Sequence, residues 1–195
     1  NDTLTRAMVW TIIARAEGVD TTGGASWYAK AQEWVTAKGI SDGENPTAAI
    51  TRQELVTMLY RYAELTGGDV SRTASLEGFE DSGRVSAYAV DALKWAAAEG
   101  IVTGTGKGFS PDAALTRESL AAILFRYAGG QVSADDLSGY ADGAVVSAWA
   151  REAMNWAVAQ GLITGKSGGR LDPGGTASRA EVSAILMRYV QSAQA

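Results

Sequence analysis

The 195-residue chain contains no cysteine and no histidine. Without cysteine, disulfides and thiolate metal sites are excluded. Without histidine, the commonest general base and the commonest metal ligand are both missing. Ser-His-Asp and Cys-His machinery are therefore impossible. Basic residues are also short, 17 against 22 acidic ones, for a net charge of −5. That balance argues against nucleic acid or an anionic membrane as a partner through bulk electrostatics. No run approaches the roughly 18 apolar residues of a membrane span, so no membrane insertion is expected. No signal peptide is visible, and the opening Asn1-Asp2-Thr3 reads as the interior of a longer protein. What is plentiful is apolar content, 46% of residues, enough to bury a core as one large domain or a compact repeat array.

The apolar and glycine residues recur at a fixed period. Trp34, Trp95 and Trp156 are spaced by 61 residues, as are Trp27, Tyr88 and Trp149, and Gly39, Gly100 and Gly161. Five of the six tryptophans fall in these two columns, so the match is not an accident of composition. One supersecondary unit has been copied, and a single asymmetric catalytic centre is a poor candidate for such a chain. Each unit opens on an amphipathic stripe, as in Tyr88, Ala92, Trp95 and Ala96, at helical spacing. A glycine then ends that helix. A glycine-rich turn leads to Pro46, Pro111 or Pro173, and five residues later comes Thr51-Arg52, Thr116-Arg117 or Ser178-Arg179.

Those Thr and Ser residues read as N-caps of a second helix, with capping-box spacing from Thr51 to Glu54 and from Ser178 to Glu181. A further copy of this second helix runs from Thr5-Arg6, so it occurs four times and the first helix three times. The spacing predicts a mainly α fold of tandem repeats with two helices each. Residues 1–24 hold the second-helix half of a truncated repeat, followed by repeats at 25–66, 79–128 and 140–191, together one domain. Strand signals are weak throughout.

The Thr/Ser-Arg helix starts are the leading candidates for chemistry. An arginine in a first turn opposes the macrodipole, where an acidic residue would gain roughly 0.3–1 kcal/mol. Free helix N–H groups combined with a guanidinium form an anion receptor; the competing reading is an ion pair with an acidic residue of a neighbouring repeat. On the receptor reading, truncation of Arg117 is expected to change stability by no more than about 1 kcal/mol. The invariant tryptophan column reads as core. The Trp27, Tyr88 and Trp149 column, at helix starts, divides between core and a platform for sugar stacking. Asp81 and Asp142, 61 residues apart with Asp20 in the same column, could cap the approach to the first helix or line a cleft. Gly104-Thr105-Gly106-Lys107-Gly108 lacks the spacing of a phosphate loop and reads as a turn. Asp42, Glu44 and Asn45 lack the EF-hand pattern, so neither a metal nor a cofactor is expected.

Taken together, Phe79-Glu80-Asp81, Tyr88, Trp95-Ala96, Glu99-Gly100-Ile101, Phe109-Ser110-Pro111, Thr116-Arg117-Glu118 and Phe125-Arg126-Tyr127 resemble the S-layer homology domain, the wall-anchoring repeat of bacterial surface proteins. The copy from Tyr140-Ala141-Asp142 to Ser178-Arg179-Ala180-Glu181 repeats the pattern. The resemblance implies repeats packed as a pseudo-threefold bundle with grooves between them. It also implies non-covalent binding of secondary cell wall polysaccharide through a pyruvylated N-acetylmannosamine. The family's ligand arginine matches Arg6, Arg52, Arg117 and Arg179. With Trp27, Tyr88, Trp149, Asp81 and Asp142 these form the expected ligand-binding set.

Only Ser178-Arg179-Ala180-Glu181 keeps the family's Ala-Glu ending, so equivalent grooves are not expected. The leading half repeat is expected either to dock outside a ring of three repeats or to offset the ring, placing Arg6 beside Trp27. The implied role is a non-catalytic, extracellular anchoring module fused to a longer surface protein. The alternatives are a self-assembling or partner-binding surface repeat without sugar binding and, least favoured, a glycan-cleaving enzyme.

Overall fold

The computed structural model describes residues 5–104, 106–131, 137–163, 165, 166 and 168–176. Among them six α-helices form: α1 (Arg6–Ala16), α2 (Ala29–Ala37), α3 (Arg52–Leu65), α4 (Val90–Ala98), α5 (Arg117–Tyr127) and α6 (Arg151–Ala159). Short 3-10 turns precede α4 and α6, and extended pairing among the described residues is confined to isolated bridges. The protein is mainly helical, as its periodicity predicts.

α1, α3 and α5 are the second helices of successive units, and each starts after a threonine in extended backbone. At α3 the capping box is formed: Thr51 Oγ1 accepts from Glu54 N, and Glu54 Oε2 accepts from Thr51 N at 2.8 Å. At α5 the Thr116 hydroxyl accepts from Ser119 N. Ser178, Arg179 and Glu181 lie outside the described residues. The first helices end at Gly39, Gly100 and Gly161. Gly100 has φ of +69°, and a Cβ there would meet nothing within 4 Å. The demand for glycine is therefore conformational, set by the left-handed residue that turns the chain out of the helix.

The close helix pairs cross unit boundaries: α1 packs on α2, α3 on α4, and α5 on α6. The reason is that one unit cannot bury its own apolar face. Trp95 of α4 stands edge-on to Tyr60 of α3 at 5.5 Å and to Tyr127 of α5 at 6.3 Å. Phe125 of α5 meets Trp156 of α6 in the same way. Trp95 and Trp156 are buried, whereas Trp34 is only part-buried, on a helix whose buried residues are Ala31 and Val35. Trp10 and most of α1 belong to the same continuous core as the later units.

Candidate functional site

Each described second helix starts in a joint made with the following unit. Arg6 N and Ala7 N donate to Ala48 O and Pro46 O; Arg52 N and Gln53 N donate to Ala113 O and Pro111 O; Arg117 N and Glu118 N donate to Gly175 O and Pro173 O. All six bonds are 3.0–3.1 Å. The expectation of free N–H groups is thereby corrected: the positive end of each helix dipole already faces carbonyl oxygens of the proline loop.

The arginine side chains enter the same joint. Their Nε atoms donate to Glu44 O at 2.9 Å, Phe109 O at 2.8 Å and Leu171 O at 2.6 Å. Arg6, Arg52 and Arg117 are only 7%, 5% and 0% exposed, so each guanidinium spends one edge as a strut between units. Burial of this depth overturns the expectation that Arg117 can be truncated with little effect on stability.

The loops that receive the arginines have a common build. Asn45, Ser110 and Asp172, each just before its proline, have φ of 49°, 58° and 52°. A left-handed residue there is rare outside Asn, Asp and Gly; in each loop the carbonyl just before it accepts from Arg Nε, and carbonyls just after it accept from the helix start. Asp81 accepts from Phe109 N and Ser110 N, both at 2.7 Å. Asp142 accepts from Leu171 N at 2.7 Å and Asp172 N at 2.8 Å. These carboxylates hold the loop, which in turn holds the arginine. A Cβ on Gly108 would lie 2.7 Å from the Asp81 carboxylate, which explains glycine at that point of the turn. Asp20 takes no such part. It binds Thr22 within its own turn, which holds its carboxyl down at about 2.

Burial alone would raise the Asp81 and Asp142 carboxyls, but the N–H donors outweigh it, with Arg84 and Arg170 assisting, and both sit below the ordinary range. In the unfolded chain both return to about 3.9. Their contribution is fully present above that value and is lost as pH falls through the lower folded values. The melting temperature is expected to fall steeply below about pH 4, and the double variant Asp81→Asn/Asp142→Asn should flatten that slope. An unchanged acid limb in that variant would assign it to other carboxylates.

The residues after Arg52 and Arg117 are functional positions that the sequence reading missed. Gln53 Oε1 accepts from Ser86 N at 2.9 Å, and Glu118 accepts from Ser147 N at 3.0 Å and from its hydroxyl at 2.9 Å. These bonds fix the 3-10 turns that carry Tyr88 and Trp149. The 61-residue recurrence of Ser86 and Ser147 was the available signal.

Trp27, Tyr88 and Trp149 are 43%, 50% and 47% exposed, so this column faces outward while the other tryptophan column packs. Arg6 and Tyr88 meet in a groove of about 330 Å³ that also includes Asp42, Glu54 and Arg61. The groove thus draws on three successive units. Trp27 is not part of its lining and instead stands edge-on to Tyr28 at 5.2 Å. The outer nitrogens of Arg6 pair with Asp42 and Glu54. In this groove, therefore, the arginine makes the cross-unit ion pair weighed above.

The S-layer homology domain model matches residues 78–121 and 139–183. The chain is 31% identical over 157 residues to an amylopullulanase of Thermoanaerobacterium thermosulfurigenes, covering 76% of this chain and 8% of that protein. It is 30% identical over 184 residues to the surface-layer 125 kDa protein of Lysinibacillus sphaericus, covering 87% and 15%. It is 27% identical over 157 residues to the exoglucanase XynX of Acetivibrio thermocellus, covering 76% and 14%. The chain thus spans a small fraction of the length of these curated relatives. Two of its segments carry the anchoring repeat of surface proteins, and the matches support a location at the cell surface or cell wall. Among the described residues no helix is long and apolar enough to cross a membrane.

Proposed function

We propose that the chain is a non-catalytic anchoring module that binds an anionic, pyruvylated secondary cell wall polysaccharide in grooves between its repeats. In this reading the repeats at 25–66, 79–128 and 140–191 close into a pseudo-threefold bundle, residues 1–24 supply the leading half repeat, and the whole is carried by a longer surface protein. The observation that supports it most is the meeting of a buried arginine and a half-exposed aromatic ring, contributed by different units, in one groove. The ring offers an apolar face to a sugar, and the outer edge of a guanidinium that lacks the acidic partners of Arg6 offers paired donors to a carboxylate. Arg52, Arg117 and Arg179 are assigned the carboxylate, and Trp27, Tyr88 and Trp149 the sugar faces. Asp81 and Asp142 are positioning residues that set the arginine loop.

A net charge of −5 opposes an acidic polymer at long range, so attraction has to come from local contacts. A paired arginine in a partly desolvated groove is screened less by salt than a diffuse basic patch. Binding to purified walls should survive moderate salt and collapse when the pyruvyl groups are removed by mild acid. Arg52→Lys should not preserve it, because an ammonium lacks the planar fork. Undiminished retention on the stripped polymer would show that the grooves read neutral sugar, and would reject the acidic-ligand mechanism.

A further inference from the structure

The grooves of this chain carry different charge, and the difference lies in two columns of the repeat. In the first groove Arg6 is neutralised from within, by Asp42 at the rim and by Glu54, whose side chain is 16% exposed. Arg61 lies in the same groove, its Nη1 3.3 Å from Ile40 O. Two cations therefore face two carboxylates.

One unit on, the Nε strut and the second arginine of the joint recur, while the bonds to Asp42, Glu54 and Ser41 do not. Arg52 Nε donates to Phe109 O as Arg6 Nε donates to Glu44 O, and Arg126 Nη1 lies 3.5 Å from Ile101 O as Arg61 lies against Ile40 O. Trp149 takes the place of Tyr88, on a turn fixed by Glu118 as the Tyr88 turn is fixed by Gln53. In the column of Asp42 stands Thr103, and in that of Glu54 stands Ser119, whose hydroxyl bonds the Thr116 cap. Among the described residues no carboxylate pairs with Arg52, and of its guanidinium nitrogens only Nε makes a hydrogen bond. Its guanidinium lies over the Phe109 ring at 5.0 Å. The nearby carboxylate, Asp81, has both oxygens committed to backbone N–H groups. Burial, followed by the repulsion of Arg126, pushes Arg52 down to about 10. Asp81 attracts Arg52 without pairing to it, and two cations brought together with no paired carboxylate are relieved by an incoming anion.

We infer that Asp42 and Glu54 close the Arg6 groove to acidic ligands, and that the equivalent joint at Arg52, with Arg126 and Trp149 in the columns of Arg61 and Tyr88, is the one of the two that takes the carboxylate-bearing sugar. This rests on the polysaccharide reading and adds the residues that decide between grooves. A ligand carboxylate entering the Arg6 groove has to displace Glu54, which is tethered by its own capping box. At Arg52 no paired carboxylate has to be displaced among the described residues.

The test is an NMR titration of the intact chain with the methyl glycoside of pyruvylated N-acetylmannosamine, following the Trp149 indole N–H and the Tyr88 ring separately. The Trp149 signal should titrate, and the Tyr88 signal should respond at least tenfold more weakly. Arg52→Ala should remove the Trp149 response. Asp42→Asn/Glu54→Gln, which keeps the capping geometry because Gln also serves there, should strengthen the Tyr88 response at least tenfold. Asp42→Thr/Glu54→Ser, which copies the second groove, should do the same. Equal midpoints at both aromatics, or no gain in either double variant, would overturn the groove assignment while leaving acidic-sugar binding intact. Silence of both signals in every form would overturn the acidic-sugar reading, and this assignment with it.

Discussion

Trp95→Ala is expected to lower stability by about 3–5 kcal/mol through lost burial and the cavity left behind. Trp95 is 4% exposed and touches aromatic rings on two second helices, Tyr60 of its own α3 partner and Tyr127 of α5. The substitution therefore loosens the contact between successive units as well as one helix. Each edge-to-face pair adds about 0.5–1.5 kcal/mol beyond its area. For a chain of this size the loss corresponds to a fall in melting temperature of about 6–20 °C, measurable by circular dichroism. Trp34→Ala is the control from the same column: Trp34 is only part-buried, on a helix that buries little, and its loss should be clearly smaller. Equal losses at the two positions would show that the column contributes through its own helix and not through packing between units.

Arg117→Ala should also be strongly destabilising, by about 2–4 kcal/mol. The side chain is fully buried, and its Nε bonds Leu171 O, 54 residues away. Truncation leaves that carbonyl without its donor, which costs about 1–3 kcal/mol, and opens a void where the aliphatic stem had packed. Arg117→Met retains most of the stem volume and should recover the packing part only. Urea denaturation with an unchanged m-value would report the two losses separately. A cost below about 1 kcal/mol for Arg117→Ala, the ordinary range for an exposed residue, would show that the strut is dispensable. The same burial governs how binding experiments are read: a variant of Arg52 or Arg117 has to be shown folded before weak wall binding is assigned to a lost ligand contact.

Much of this protein was legible one residue at a time. The helix stripe, the glycine stops and the Thr51–Glu54 capping box are local features, set by partners within four residues of each other. The structure reproduces them, and it separates the two aromatic columns into a packed one and a half-exposed one. Local reasoning failed where a group's partner lay in another unit. An isolated helix start has free N–H groups, and the receptor reading followed from that. In the folded chain Arg52 N and Gln53 N are satisfied by Ala113 O and Pro111 O. By its column Asp81 read either as a cap on the approach to the first helix or as a cleft residue, and it proved to be the support of a loop 28 residues on.

The sequence by itself determined the repeated helical unit, its caps, its core column and the positions where arginines and aromatics recur, because these follow from periodicity and short-range bonding. Tertiary structure alone decided which arginine meets which carboxylate. Arg6 reaches Asp42 across 36 residues and Glu54 across 48, while Arg52, in the same motif, finds Thr103 and Ser119 in the matching columns. A repeat motif fixes where a charge is placed on its own helix. The charge of the groove is set by the neighbouring units packed against it, since the burial that makes an ion pair matter arises only when the units are assembled.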